Sequence, residues 1–163
     1  MGRRALYAAL ALYASSVACS AVALPAEVPL HFGSGGSADS YGSRSEALIG
    51  FGVLGLFMVT VWLVCRWMVR RAGLDVFNVP HPDYWKTSEN EPELRRRVED
   101  DLAWFVAATI LLLAGIPVST VVAAQGSGEL PWGFFVIFVL YLLGTLGWTV
   151  HLFTRRYRPP AQS

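Results

Sequence analysis

Charge is what this sequence has least of. Only 15% of its 163 residues are Asp, Glu, Lys or Arg, while 54% are hydrophobic; a soluble domain of this size carries about 25% charged and 45–50% apolar residues. Mean hydropathy is +0.44. Thirteen Lys and Arg against twelve Asp and Glu leave a net charge of +1, so there is no bulk positive field to hold nucleic acid. Two cysteines are too few for a secreted disulfide scaffold, and the apolar content excludes a disordered tail.

What is present is four uncharged windows, residues 5–26, 47–65, 102–128 and 130–154, of 22, 19, 27 and 25 residues. About 20 apolar residues cross a bilayer core of roughly 30 Å as a helix, and non-alternating runs of this length satisfy their own backbone in that form. The expected fold is all-α: one polytopic domain over residues 1–163, with helices at about 5–24, 46–68, 102–123 and 132–153. An outer loop, 25–45, and a cytoplasmic loop, 69–101, join them. Twelve of the thirteen cations fall at one end of this arrangement, leaving only Arg44 at the other. The positive-inside rule then places both termini in the cytoplasm, and Trp67, Trp104, Trp132 and Trp148 fall near helix ends as an aromatic belt.

Arg3-Arg4, the apolar stretch and Ala21-Val22-Ala23 also fit a cleavable signal peptide. The stretch exceeds the usual core of about 7–15 residues, which favours a retained helix. Cys19 and Cys65 belong near opposite membrane faces, too far apart to bond, and read as small apolar packers. Ala11, Ser15 and Cys19 give helix one a small-residue stripe suited to close helix packing, and Pro117 is expected to kink helix three.

The outer loop is the most patterned part of the chain. Pro25 and Pro29 keep the residues between them extended, Val28, Leu30 and Phe32 alternate with Pro29 and His31, and Gly33-Ser34-Gly35-Gly36-Ser37 is turn material. An extended segment, a turn and a descent into helix two are expected. Glu27, His31 and Asp39 lack metal-site spacing, no activated nucleophile accompanies them, and Asp39 has Arg44 nearby for a local pair. A structural cap, a ligand- or partner-binding surface and a catalytic or metal site are the three readings of this loop.

In the cytoplasmic loop, Phe77-Asn78-Val79-Pro80-His81-Pro82-Asp83-Tyr84-Trp85 cannot be a regular helix, and its rings are expected to dock on the inner helix ends or in the headgroup region. From Pro92 onward the chain reads as helix running into helix three, with Glu91–Arg95 and Glu93–Arg97 as favourably ordered pairs. The charges of residues 93–101 are expected to form a solvated, salt-bridged face. The spans hold no ionisable group except His151, and their Thr60, Thr109, Ser119, Thr120, Thr145 and Thr149 can bond their own helix backbones. That argues against an ion-coupled transporter and against a polytopic enzyme. No cofactor, metal or catalytic residue is expected.

Leu24-Pro25-x-x-x-Pro29-x-His31-Phe32, then Gly36-x-x-Asp39 and Gly42-Ser43-Arg44, resembles the motif of the domain-of-unknown-function 1648 family. That domain also forms the amino-terminal part of SdpI-type bacterial immunity proteins. Asn78-Val79-Pro80-His81-Pro82-Asp83-Tyr84-Trp85 is similar to a second segment found in short members of the family, although the chain has fewer helices than SdpI-type proteins. The resemblance implies a multi-pass protein of the bacterial cytoplasmic membrane, carrying Pro25, Pro29, His31, Phe32, Gly36 and Asp39 as an outer recognition motif. Asn78, Pro80, Tyr84 and Trp85 form the cytoplasmic one. The expected function is non-enzymatic binding or sensing at the cell envelope, immunity-like, with the bilayer and an envelope peptide or another membrane protein as partners and no nucleic acid. The alternatives are a structural or accessory subunit of a membrane complex and a membrane enzyme using His31 and Asp39.

Overall fold

The structure, a computed structural model, describes residues 1–160; residues 161–163 of the expected single domain lie outside it. Four of its helices are long and apolar enough to cross a membrane. They are α1 (Gly2–Ala23), α2 (Arg44–Arg71), α4 (Glu91–Gln125) and α5 (Trp132–His151), the last prolonged by a wider turn, Leu152–Arg156. Two strands, β1 (Glu27–Phe32) and β2 (Ala38–Ser43), fill the α1–α2 connection, and the short α3 (Pro82–Trp85) lies between α2 and α4. The all-α expectation is therefore corrected at one place, where the outer loop folds as an antiparallel hairpin rather than a single extended segment.

α1 and α4 run parallel and form the central seam. Gly2 sits against Asp100 at one end, and the Gln125 side chain donates to the Ala23 carbonyl at the other. Leu6, Ala9 and Tyr13 pack on Ala103, Val106, Ala107 and Ile110, joined by Met58 and Trp62 of α2. Small residues on both sides, Gly2 and Ala9 against Ala103 and Ala107, let the two backbones approach. The Ala11, Ser15 and Cys19 stripe is not this seam. It lies exposed on the opposite face of α1, because the larger Leu6 and Tyr13 supply the contact area. Tyr13 also donates to the Phe51 carbonyl at 2.6 Å. Gly55 makes room for its ring, since a Cβ there would come within 2.7 Å of it.

α4 continues as helix through the buried Pro117. The hydroxyls of Thr60, Thr109, Thr120, Thr145 and Thr149 all bond helix carbonyls four residues back, so each is satisfied within its own helix, as a hydrocarbon setting would require. α5 has no buried residue. It meets α4 through Tyr141, whose hydroxyl lies 3.0 Å from that of Thr109.

The α2–α4 connection folds back onto the helix ends, as its aromatic content led us to expect. Val69, Phe77, Trp85, Leu94 and Tyr157 form a separate buried cluster there. His81, between two prolines, is the one non-glycine at positive φ among the described residues. Its left-handed turn starts α3 and aims Trp85 inward.

Candidate functional site

Why the hairpin forms is legible residue by residue. Val28 and Pro29 are fully buried, Val28 against Leu24, Ala47 and Phe51. Pro29 costs no pairing because a two-stranded ribbon leaves one strand edge free of obligatory donors. The register is Glu27 to Ser43, Val28 to Gly42, Pro29 to Tyr41, His31 to Ser40 and Phe32 to Ala38, with irregularities on both sides of His31. A Cβ on Gly42 would meet the ends of the Leu30 and Glu46 side chains, which would have to move aside. Ser43 then closes the entry to α2 with a capping box. Its hydroxyl accepts from Glu46 N–H at 3.2 Å while the Glu46 carboxylate accepts from Ser43 N–H at 2.6 Å, satisfying two donors of the helix start.

The hairpin tip is latched to the α4–α5 turn. Ala38 N–H donates to the Gly128 carbonyl at 2.9 Å and Leu130 N–H to the Gly36 carbonyl at 2.8 Å. Gly36 is buried with φ +83°, a conformation costly for any residue with a Cβ. Gly36→Val is expected to cost about 1–2 kcal/mol of strain and to free the tip, read as faster proteolysis within residues 33–37. An unchanged cleavage rate would show that the latch does not need this geometry.

The motif residues divide into two groups. Pro29 and Phe32 line a groove of about 690 Å³, together with Leu30 of the hairpin, Gly50, Phe51 and Leu54 of α2 and Ile116 of α4. Glu46, at its mouth, is its sole ionisable lining residue. A Cβ on Gly50 would meet nothing within 4 Å, so the groove floor is open there. His31 and Asp39 stand outside it on the hairpin surface, paired through Nδ1 and Oδ1 at 2.6 Å, with side chains 70% and 53% exposed. Asp39 therefore pairs with His31 and not with Arg44, whose Nε instead donates to the Pro25 carbonyl at 3.3 Å. Among the described residues no three His, Cys, Asp or Glu converge as a metal site, and both cysteines are free.

The opposite end holds a different constellation, built on three consecutive carboxylates of α4. Glu99 meets Arg3 of α1 and Arg66 and Arg70 of α2. Asp100 accepts from Gly2 N–H at 2.7 Å. Asp101 accepts from Arg156 Nε at 3.2 Å and from the Tyr157 hydroxyl at 2.8 Å, and burial pushes that phenol's pKa well up. The expected solvated face is thus only half correct. Arg96 pairs with Glu93 and stays exposed, and the Glu91–Arg95 and Glu93–Arg97 pairs form. Glu99 and Asp101, however, are buried, because α1, α2 and the segment after α5 all close over this turn of α4.

Of the second motif, Trp85 is buried and donates from Nε1 to the Tyr157 carbonyl at 2.8 Å. The Tyr84 carbonyl accepts from the Asn90 side chain. Asn78 and Pro80 line a small cavity of about 230 Å³ that also reaches Asp101 and Tyr157. Sequence reasoning placed Gly42 in the motif without a role and did not find Glu46 or Gly50 as site residues, although Ser43-x-x-Glu46 is a readable capping-box pattern; nor did it find Glu99 and Asp101 as a hub.

No curated protein and no solved structure matches the chain. Residues 7–56 match the family model described as a domain of unknown function, DUF1648. That segment comprises most of α1, the hairpin and the hairpin-side half of α2, which are the elements that build the latch, the His31–Asp39 pair and most of the groove. The chain thus carries a segment similar to the DUF1648 domain over residues 7–56.

Proposed function

We propose that the chain is a non-enzymatic, multi-pass protein of the bacterial cytoplasmic membrane that binds an apolar, cationic envelope peptide at its hairpin end, in an immunity-like or sensing role. The observation that carries this reading is the groove beneath Pro29 and Phe32, apolar except for Glu46 and Thr120. Such a cavity suits an apolar ligand held by a few polar contacts. Charge supports the peptide's sign. The hairpin end carries Glu27, Asp39, Glu46 and Glu129 against Arg44 alone, a net of −3, and the opposite end carries +4. The count of Lys and Arg alone, twelve at the opposite end against Arg44 at this one, supports an orientation with the hairpin outside.

Two measurements test this. In cells of a Cys19→Ser, Cys65→Ser background, an impermeant thiol reagent is expected to label Ser34→Cys and to spare Ser88→Cys; the reverse pattern would overturn the orientation. In nanodiscs, a fluorophore on Ser34→Cys should report saturable binding of a cationic Leu/Lys amphipathic peptide. Gly50→Leu, which fills the groove floor, should weaken that binding at least tenfold. Equal binding by Gly50→Leu removes the groove from the reading.

A second reading, an accessory subunit of a membrane complex, is favoured by the exposed small-residue face of α1 and by α5, which buries nothing. A stoichiometric partner retained through mild detergent would support it, and a clean monomer would count against it.

A further inference from the structure

At the charged end, α4 and α5 diverge and leave a second groove, of about 740 Å³. Its walls are Phe105, Ala108 and Leu112 on α4 and Leu140, Gly144 and Trp148 on α5, and it closes at Asp100 and Arg156. We infer that this groove seats one acyl chain of an anionic phospholipid, drawn from the leaflet that faces the charged end. The inference rests on placement in a bilayer and is independent of peptide binding at the hairpin.

Length, width and charge each select this occupant. From Asp100 to Leu112 the helix rises about 18 Å at about 1.5 Å per residue, close to the depth of one leaflet, half of a core of roughly 30 Å. A helical segment of that length and about 10 Å across would fill roughly 1,400 Å³, about twice the groove, whereas an extended hydrocarbon chain is thin enough to enter. A Cβ on Gly144 would meet nothing within 4 Å, so no protein group occupies the space it faces. Arg156, which lines the groove, is engaged by Asp100 and Asp101, but its neighbour in sequence, Arg155, is exposed and is in no ion pair among the described residues. That cation, on an end with a net charge of +4, complements a phosphodiester headgroup. Trp104 and Trp148 flank the groove at the depth where indole rings favour the membrane interface.

The experiment is native mass spectrometry of the full chain in detergent, titrated with phosphatidylglycerol or phosphatidylcholine. One phosphatidylglycerol should be retained in preference to phosphatidylcholine by at least fivefold. Gly144→Leu should lose that retained lipid at least tenfold while leaving peptide binding at the hairpin unchanged, and Arg155→Ala should erase the headgroup preference alone. Unaltered lipid retention by Gly144→Leu would overturn the proposal, as would equal retention of the two lipids by the wild type. A readout that needs no variant uses phosphatidylglycerol brominated in mid-chain. It should quench the protein's tryptophan emission more than equally brominated phosphatidylcholine at the same mole fraction, and equal quenching would also overturn the assignment.

Discussion

Trp85→Ala is expected to cost about 3–5 kcal/mol, the range for removing a fully buried large aromatic. Trp85 is 2% exposed. Its ring packs edge-on against Tyr84 and Tyr157, with centroids 4.9 and 5.9 Å away, and the Arg97 guanidinium stacks 4.8 Å from its centre. Its Nε1 is also the partner of the Tyr157 carbonyl, so truncation empties a cavity and orphans an acceptor at once. Both the α2–α4 loop and the segment after α5 pack on this one side chain. Thermal unfolding in detergent and tryptic cleavage after Lys86 measure the effect: the melting temperature should fall and Lys86 should become a fast cleavage site. Cleavage at the wild-type rate would mean that the loop is anchored elsewhere.

Glu99→Gln is expected to cost about 2–3 kcal/mol, somewhat less than the 3–5 kcal/mol typical of breaking a fully buried ion pair. The Glu99 side chain is only 11% exposed, but Arg3, Arg66 and Arg70 are 48%, 31% and 50% exposed and can turn toward water once their counter-ion is gone. A change below about 0.5 kcal/mol, the scatter of ordinary surface substitutions, would exclude the hub as a stabilising element. The same cluster sets a pH dependence. Eight of the eleven residues 91–101 are charged, so this stretch of α4 stands outside the apolar span. Burial pushes the Glu99 and Asp100 carboxyls up, yet hydrogen bonds from Arg3 and Arg70 to Glu99, and from Gly2 N–H to Asp100, outweigh it and hold both below the ordinary carboxylate range. A folded pKa below the unfolded one means that the unfolded chain binds protons first on acidification. The stabilisation is therefore complete at neutral pH and declines as pH falls from about 4 through the lowered values. Glu99→Gln should flatten that acid limb.

Most of the helical frame was legible because hydrophobic length and charge punctuation are local signals. The four windows became α1, α2, α4 and α5, and the helix read from Pro92 into helix three is α4, which begins one residue earlier at Glu91. The hairpin was half legible. The period-two pattern of Val28, Leu30 and Phe32 announces β1, but Ala38-Asp39-Ser40-Tyr41-Gly42-Ser43 has little strand propensity. β2 is held instead by its pairing with β1 and by the hydrogen bond from Ala38 N–H to the Gly128 carbonyl, some ninety residues onward. Distance hid the hub in the same way. Glu91 and Glu93 find partners four residues away, as helix periodicity allows, whereas Asp101 finds Arg156 and Tyr157 more than fifty residues later. The small-residue stripe misled because small residues permit a close contact without compelling one, and Leu6 and Tyr13 on the other face offered more area to bury.

The latch between the hairpin tip and the α4–α5 turn also imposes an order of biogenesis. Gly128 and Leu130 are made long after residues 7–56, so a ribosome that has released the whole DUF1648 segment has not yet supplied the partners for Ala38 N–H and the Gly36 carbonyl. The cap is completed only when the turn after α4 meets the hairpin tip. In the proposed four-span arrangement, its closure marks that the third span has been threaded.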